Sequence, residues 1–297
     1  MGGSMTLEDY RRFYAEEIEQ AASLTSTALV EAYARVPREK FLGPPPWQIA
    51  SAEVRALAAA GLMQLSYRTT SEPRHLYHNV VVALDTAKDI NNGQPSALAG
   101  WINALDLESG DRVYHMGCGV GYYTAIMAEV VGPGGSVVAI DAQPELAARA
   151  KENLSGYRQV EVHAADGAAF DPEPCDAMLI NAGVTHPHAL WLDRLREGGR
   201  LVVPLTIAAS ATLGQGAMVR IIRQPAGFPA NIVTFLAIFS GGNLRDPDLE
   251  APLRKAMTTG ALFKMKSLRR DAHEQEESCM FHTPGMCLSG APCDMRT

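Results

Sequence analysis

The chain has 297 residues, 47% of them hydrophobic and 20% charged, the proportions of a globular protein with a core rather than of a disordered one. Lys and Arg total 26 against 33 Asp and Glu, a formal net charge of −7, which favours solubility and gives no reason to expect a phosphate-backbone partner. No apolar run reaches bilayer length: residues 232–239 are strand-sized and interrupted by Thr234. Residues 1–4 read as a short addition ahead of Met5, and the charged stretch 7–12 is no signal peptide. A cytoplasmic protein with neither nucleic-acid nor membrane partner is the expectation. The five cysteines, Cys118, Cys175, Cys279, Cys287 and Cys293, are odd in number, which argues against a disulfide framework.

Residues 7–29 space Phe13, Ile18, Ala21 and Leu24 near one helix face. Thr25 or Ser26 can cap a second helix through 28–33, and Val36-Pro37 ends it because proline clashes with a continuing helix. Gly43-Pro44-Pro45-Pro46 is a loop, and the alanine-rich stretch 50–65 is expected to be helical. Residues 77–84 are apolar and β-branched, as in a strand, whereas 85–95 read as loop, with Asn91-Asn92-Gly93-Gln94-Pro95 dense in turn formers. Ser96 is placed to cap a helix carrying Leu98, Trp101, Ile102 and Leu105.

From Val113 the pattern alternates. Strands at 112–116, 136–140, 160–164, 177–180 and 200–204 are separated by helices at 122–131, 144–154 and 190–196 or by short turns, which implies parallel pairing through right-handed crossovers. Segments 218–223 and 232–239 have no helix between them and are expected as an antiparallel pair on the sheet edge. The fold class is therefore α/β and Rossmann-like, a mixed seven-stranded sheet with a terminal antiparallel pair. Residues 5–84 form an N-terminal helical region with a leading strand, 85–242 the core, and 243–297 an extension packed on the core or partly disordered. Residues 249–257 suit a helix; 267–297 show no periodicity.

Met116-Gly117-Cys118-Gly119-Val120-Gly121-Tyr122 lies where the first of these strands turns into its helix. Glycines there permit a sharp turn and close backbone approach to a ligand, and the free amides of the following helix attract an anionic group. Asp141 ends the second strand, where a carboxylate can accept from the two ribose hydroxyls of a nucleoside. Asp166-Gly167 ends the third, within reach of an adenine amino group. Each aspartate alone suits a helix cap or solvated strand end; together beside a glycine turn they point to an adenosine-containing ligand. A dinucleotide fingerprint would need its last glycine at Tyr122.

Four ordered motifs resemble the protein-L-isoaspartate O-methyltransferase family across roughly residues 32–239. They are Val36-Pro37-Arg38-Glu39-Lys40-Phe41, the glycine loop through Ala125, Asp166-Gly167, and the run from Leu195-Arg196-Glu197-Gly198-Gly199 to Pro204. The resemblance implies a class I S-adenosyl-L-methionine-dependent methyltransferase acting on the abnormal carboxyl of isoaspartyl residues. It places Gly117, Gly119 and Gly121 along the methionine portion, Asp141 on the ribose, and Asp166 with Gly167 on the adenine side; Cys118, inside the loop, counts with the cofactor-binding residues. The chain departs from the family where Thr-Ile-Ser-x-Pro precedes a helix: Asn91-Asn92-Gly93-Gln94-Pro95 keeps the proline and puts glycine at the serine's place. Asn91, Asn92 and Gln94 are the candidates for a replacement donor at the catalytic position, or only form the turn.

A carboxylate acceptor is ionised near pH 7 and needs no general base. Another acceptor can need one, from His78, His115, His186 or His188; His115, inside a strand, suits a core role. Gly93, His186 and His188 are the substrate-side candidates. Cys118 and Cys175 are small enough to be buried fillers. Cys279, His282, Cys287 and Cys293 have the residue types of a zinc set, but Cys-x7-Cys-x5-Cys lacks the short hooks of structural sites, so no metal is expected. The acceptor is a peptide, protein or small molecule. A carboxyl of a peptide or protein comes first, with a small molecule or modified natural-product peptide as the alternative, and a cofactor-binding interaction module as the non-enzymatic one.

Overall fold

The computed structural model describes residues 5–59, 61–88, 90–283 and 285–293; the four residues ahead of Met5 lie outside them. The elements are α1 (Leu7–Ala22), α2 (Thr27–Arg35), β1 (Trp47–Ser51), α3 (Ala52–Ala59), β2 (Arg68–Thr70), β3 (Val80–Asp85), β4 (Ile90–Asn91), α4 (Pro95–Asn103), β5 (Arg112–Met116), α5 (Tyr122–Val131), β6 (Ser136–Asp141), α6 (Pro144–Asn153) and β7 (Val160–Ala164). They continue with β8 (Cys175–Ile180), α7 (Ala189–Arg194), β9 (Leu195–Ala208), β10 (Leu213–Ile222), β11 (Phe228–Phe239), α8 (Pro247–Thr258), β12 (Ser267–Arg269), β13 (Cys279–Thr283) and β14 (Met286–Ser289). The chain forms two compact units, one running to Gly110 and resuming over Cys118–Ala164, the other comprising Asp111–Gly117 and everything from Ala165.

In the first unit, Thr6 closes a capping box on α1 with Asp9, and Ser26 caps α2 through the Leu29 N–H at 3.2 Å. Tyr14, Tyr33, Tyr77 and Tyr122 pack edge to face, with ring centroids 5.8 Å apart for Tyr14–Tyr33, 5.9 Å for Tyr14–Tyr77 and 6.4 Å for Tyr33–Tyr122. Arg38 is fully buried among them and lies 5.8 Å from the Tyr14 ring centre and 5.9 Å from that of Tyr122. Its guanidinium donates to the carbonyls of Leu76 (2.7 Å), His78 (3.2 Å) and Val80 (2.7 Å) and to Asn92 Oδ1 (3.3 Å). The proline–arginine motif is thus a clamp that ties the 38–41 turn to the strand leading into the Asn91–Pro95 loop.

The helix expected over 50–65 is shorter than its alanine content suggested, and a strand precedes it. Trp47, Gln48 and Ile49 pair with β2, and Ile49 to Ser51 with β3, in an antiparallel sheet ordered β2-β1-β3-β4. Trp47 joins Leu42, Leu76 and Val82 in a small apolar cluster, and this burial outweighs local helix propensity. β6 and β7 pair in parallel, Val137 opposite Val160 through Asp141 opposite Ala164.

In the second unit β5, β8 and β9 are parallel and β9, β10 and β11 antiparallel. The seven strands anticipated from the alternating pattern are therefore present as β5 to β11. β11 is not an edge, however: the order continues β11-β12-β14-β13, because Phe228 and Pro229 pair with Leu268 and Ser267. These last strands are only three to five residues long, too short for periodicity to register. β9 extends on both sides of the expected 200–204 because β8 and β10 flank it. No helix among the described residues is long and apolar enough to cross a membrane.

Candidate cofactor and acceptor site

Gly117, Gly119 and Gly121 have φ of 78°, 57° and 88°, the left-handed region that a Cβ penalises. At Gly121, which opens α5, a Cβ would also sit 2.7 Å from Leu154 Cδ1 and 3.4 Å from Ala150 Cβ, so α5 and α6 pack as they do only over glycine. In the first unit Cys118 N–H donates to Ile140 O at 3.0 Å. The Asp141 carboxylate, 8% exposed, accepts from Gly119 N–H at 2.8 Å with one oxygen and from Gln143 N–H at 2.9 Å with the other. Burial raises the Asp141 carboxyl above the usual range, and those two backbone bonds pull it back. Each oxygen keeps a lone pair for a hydroxyl. Burial and the nearby Asp141 charge push the Cys118 thiol up, so it stays protonated and apolar.

In the second unit Asn181 Nδ2 donates to Gly117 O at 3.2 Å and Asn181 N–H to Met116 O at 2.8 Å. Asp166 Oδ1 accepts from Ala168 N–H at 2.9 Å, closing a turn, and Asn243 Nδ2 approaches Oδ2 at 3.4 Å. Gly167 O accepts from the buried Trp191 indole at 3.2 Å. Asn181, Trp191 and Asn243 are supports that motif reading missed, although Asn181 directly follows β8 and Trp191 lies within the helix expected over 190–196.

The acceptor-side candidates divide sharply. Asn92 is 8% exposed and its Oδ1 is taken by Arg38 and by Val82 N–H at 3.0 Å, leaving Nδ2 as a buried donor without a hydrogen-bond partner. Asn91 Oδ1 accepts from Gly93 N–H at 2.9 Å, and Gln94 Nε2 donates to Ser96 Oγ at 3.1 Å. Ser96 is not the cap of α4: Gln94 holds that position without a side-chain bond, and the Ser96 hydroxyl instead accepts from Asn79. Gly93 has φ +77°, and its carbonyl accepts from Tyr123 OH at 3.3 Å.

In the second unit the His186 and His188 rings stack at 4.9 Å and His188 also lies against Trp191 at 4.5 Å. His188 Nε2 donates to Leu244 O at 3.1 Å, a bond that anchors the ring to the framework. Thr185 Oγ1 accepts from Asp246 N–H at 2.9 Å and sits 3.1 Å from Nδ1 of the His186 ring. Burial, reinforced by His188 and opposed by Asp246, lowers its pKa. His115 is fully buried, and burial pushes it down to about 3, so it stays neutral in the core. His78 lies 3.7 Å from Glu17 and is exposed. Of the four residues weighed as a zinc set, Cys279, His282 and Cys287 come together with His273, while Cys293 packs against Gly227 and is not part of the group.

The family model for protein-L-isoaspartate(D-aspartate) O-methyltransferase matches residues 62–217. A protein-L-isoaspartate O-methyltransferase of Ignicoccus hospitalis is 34% identical over 188 residues, 61% of this chain and 86% of its own length. Protein-L-isoaspartate O-methyltransferase 1 of Archaeoglobus fulgidus is 37% identical over 145 residues, 45% of this chain and 67% of its own. A solved protein-L-isoaspartate O-methyltransferase superposes with a TM-score of 0.62 at 20% identity, covering 88% of this chain and 72% of that one. A Plasmodium falciparum structure described as a family member in complex with S-adenosyl-L-homocysteine gives 0.55 at 15% identity, over 77% and 97%; these two likenesses show the class I Rossmann-like fold. The matched segment exceeds half of the sequence, so the chain belongs to the protein-L-isoaspartate(D-aspartate) O-methyltransferase family and is an S-adenosylmethionine-dependent methyltransferase.

Proposed function

We propose that the chain methylates a carboxylate of the isoaspartyl type in a peptide or protein. The observation that carries the reading is the Asp141 carboxylate, buried and fixed by the Gly119 and Gln143 amides, which suits a ribose in a protein whose family transfers methyl groups to carboxyls. Gly119, Gly121 and Asp141, with Cys118 packed behind them, are the proposed cofactor residues of the first unit; Gly117, Asp166 and Gly167 are those of the second. When bound, S-adenosylmethionine supplies an electrophilic methyl group on a sulfonium. The chain's own task is alignment and exclusion of water, because a carboxylate is already ionised near pH 7 and no base is needed. Asn92 Nδ2 is the donor best suited to orient that carboxylate: it is buried and lacks a partner, and a bond to an acceptor would relieve a desolvation cost of about 1–3 kcal/mol. Gln94 and Asn91 shape the turn that presents it. In the second unit His186 and His188 are the substrate-side candidates, their rings stacked on each other.

Incubation with labelled S-adenosylmethionine and an isoaspartyl peptide, beside its normal aspartyl twin, tests this reading. Base-labile label in the isoaspartyl peptide alone is the expected result. Label in neither peptide, with cofactor binding intact, refutes the isoaspartyl acceptor.

One observation favours a second reading. Gly93 stands where the resemblance to the family's Thr-Ile-Ser-x-Pro motif implies serine, and a Cβ there would lie 2.8 Å from Leu98 Cδ2 on a backbone of φ +77°. The loop is built for the absence of that hydroxyl, which suits an acceptor of different shape, such as a modified natural-product peptide or a small carboxylic acid. Gly93→Ser should therefore lower stability by about 1–2 kcal/mol and leave methylation of the isoaspartyl peptide unchanged or slower, read from thermal melts and initial rates. A faster rate in the variant would mean that the serine is compatible with this loop after all.

A further inference from the structure

The connection and hairpin after β12 gather the residue types of a metal centre. His273 lies between β12 and β13, Cys279 opens β13, His282 follows three residues later, and Cys287 is on β14; their ligand atoms all lie within 4.8 Å of one another. Strict alternation along a strand would send Cys279 and His282 to opposite faces. The register prevents it. Cys279 pairs with Ser289 and Phe281 with Leu288, so Met280 is an extra, bulged residue. Beyond the bulge His282 pairs directly with Cys287. Cross-strand partners share a face, as do residues two apart on one strand, so Cys279, His282 and Cys287 all project from one side of the hairpin. Phe281 and Leu288 take the other, at 1% and 0% exposure.

His273 reaches the same point from its loop. Its Nδ1 donates to Asp271 O at 2.9 Å, which leaves Nε2 with the lone pair, 3.5 Å from Cys279 Sγ. Metal-bound histidines commonly give their other N–H to a carbonyl or carboxylate in this way. The two imidazoles meet edge to face at 4.7 Å, and His282 Nδ1 is buried with no hydrogen-bond partner. Glu276 N–H donates to Cys279 Sγ at 3.3 Å, which holds the sulfur in place beside the two imidazoles. Cys279-x2-His282 is a short hook of the kind found in structural zinc sites, hidden from a reading that counted cysteine-to-cysteine spacings alone.

We propose that His273, Cys279, His282 and Cys287 bind a structural zinc ion as a closed Cys2His2 site. Two thiolates neutralise the divalent charge, so the loaded centre carries none into the partly buried hairpin. Mixed imidazole and thiolate ligation in a tetrahedron selects zinc over magnesium or calcium, which take oxygen ligands. Bond lengths of about 2.0–2.1 Å to nitrogen and 2.3 Å to sulfur set neighbouring ligand atoms roughly 3.3–3.8 Å apart, reached here by side-chain adjustment of about 1 Å. All four positions are filled by protein, so the ion leaves no open position for a reacting group. It staples β13, β14 and the 270–278 connection, a segment whose strands are short and whose core is small.

The test uses the full chain, purified without chelator. Metal analysis is expected to find about one zinc per chain, falling to trace levels in Cys279→Ser and in His282→Ala, while Cys293→Ser retains it. Refolding with Co2+ in place of zinc is expected to give a thiolate-to-cobalt charge-transfer band and the intense visible absorption of a tetrahedral ion. A ligand variant that fails to fold would lose metal trivially, so the wild type decides. Natively folded full-length protein that holds no zinc and shows no charge-transfer band on titration with Co2+ overturns the site. Full zinc content in a folded Cys279→Ser, His282→Ala double variant also overturns it.

Discussion

Asp141→Ala is expected to weaken binding of S-adenosylhomocysteine by about 10- to 100-fold, the equivalent of roughly 1.5–3 kcal/mol for hydrogen bonds to a charged group. Two losses combine. The ribose hydroxyls lose their acceptor, and the Gly119 and Gln143 amides lose the carboxylate that holds the glycine turn against the start of α6. Asp141→Asn separates them, because its single carbonyl oxygen can keep one of the three roles; an affinity between wild type and alanine is expected. Titration calorimetry gives the affinities, and a thermal melt of each ligand-free variant shows whether the fold is intact. An Asp141→Ala variant that binds as wild type does would remove this residue from the cofactor site.

The second large effect concerns a residue remote from any reacting atom. Arg38→Met should cost about 3–5 kcal/mol of stability, the range for deleting one side of a buried, hydrogen-bonded charged group. The methionine fills much of the volume but leaves the Leu76, His78 and Val80 carbonyls and Asn92 Oδ1 without their donor. Arg38→Lys should recover less than half of the loss, since one ammonium cannot span the positions a planar fork reaches. The melting temperature reports the stability, with a drop of roughly 2–4 °C for each kcal/mol in a protein of this size class. Methyl-transfer rates should fall more in Arg38→Met than stability at the assay temperature requires, because Arg38 also orients Asn92. Loss of stability without that additional loss of rate would confine Arg38 to the framework.

Much of the backbone of the candidate cofactor region was legible because a glycine turn of this kind constrains main chain as well as side chain. Three glycines at positive φ and a carboxylate at the end of the next strand are sparse features, and β5 to β9 showed as short strand-length segments separated by helices or turns. Arg38 could be matched to a motif but not understood, since its partners are main-chain carbonyls some forty residues later. β1 was hidden by the alanines that follow it, and its pairing with β2 and β3 is a long-range choice that local propensity does not encode. In the extension the obstacle was parity: Cys279 and His282 share a face only because Met280 bulges, and His273 arrives from a loop with no periodicity at all. Asn92 presents the same limit in another form, for its amide looks available in the sequence while the structure commits the carbonyl half to Arg38 and Val82 and leaves the nitrogen half over.

The central claim, that the glycine turn and Asp141 hold an adenosine attached to methionine, is tested most directly by calorimetry on the unmodified full chain. Titration with S-adenosylhomocysteine is predicted to give saturable heat at about one equivalent, with S-adenosylmethionine competing for the same sites and NAD giving none. Absence of heat from both sulfur compounds in a folded preparation, or equal binding of NAD, would contradict it.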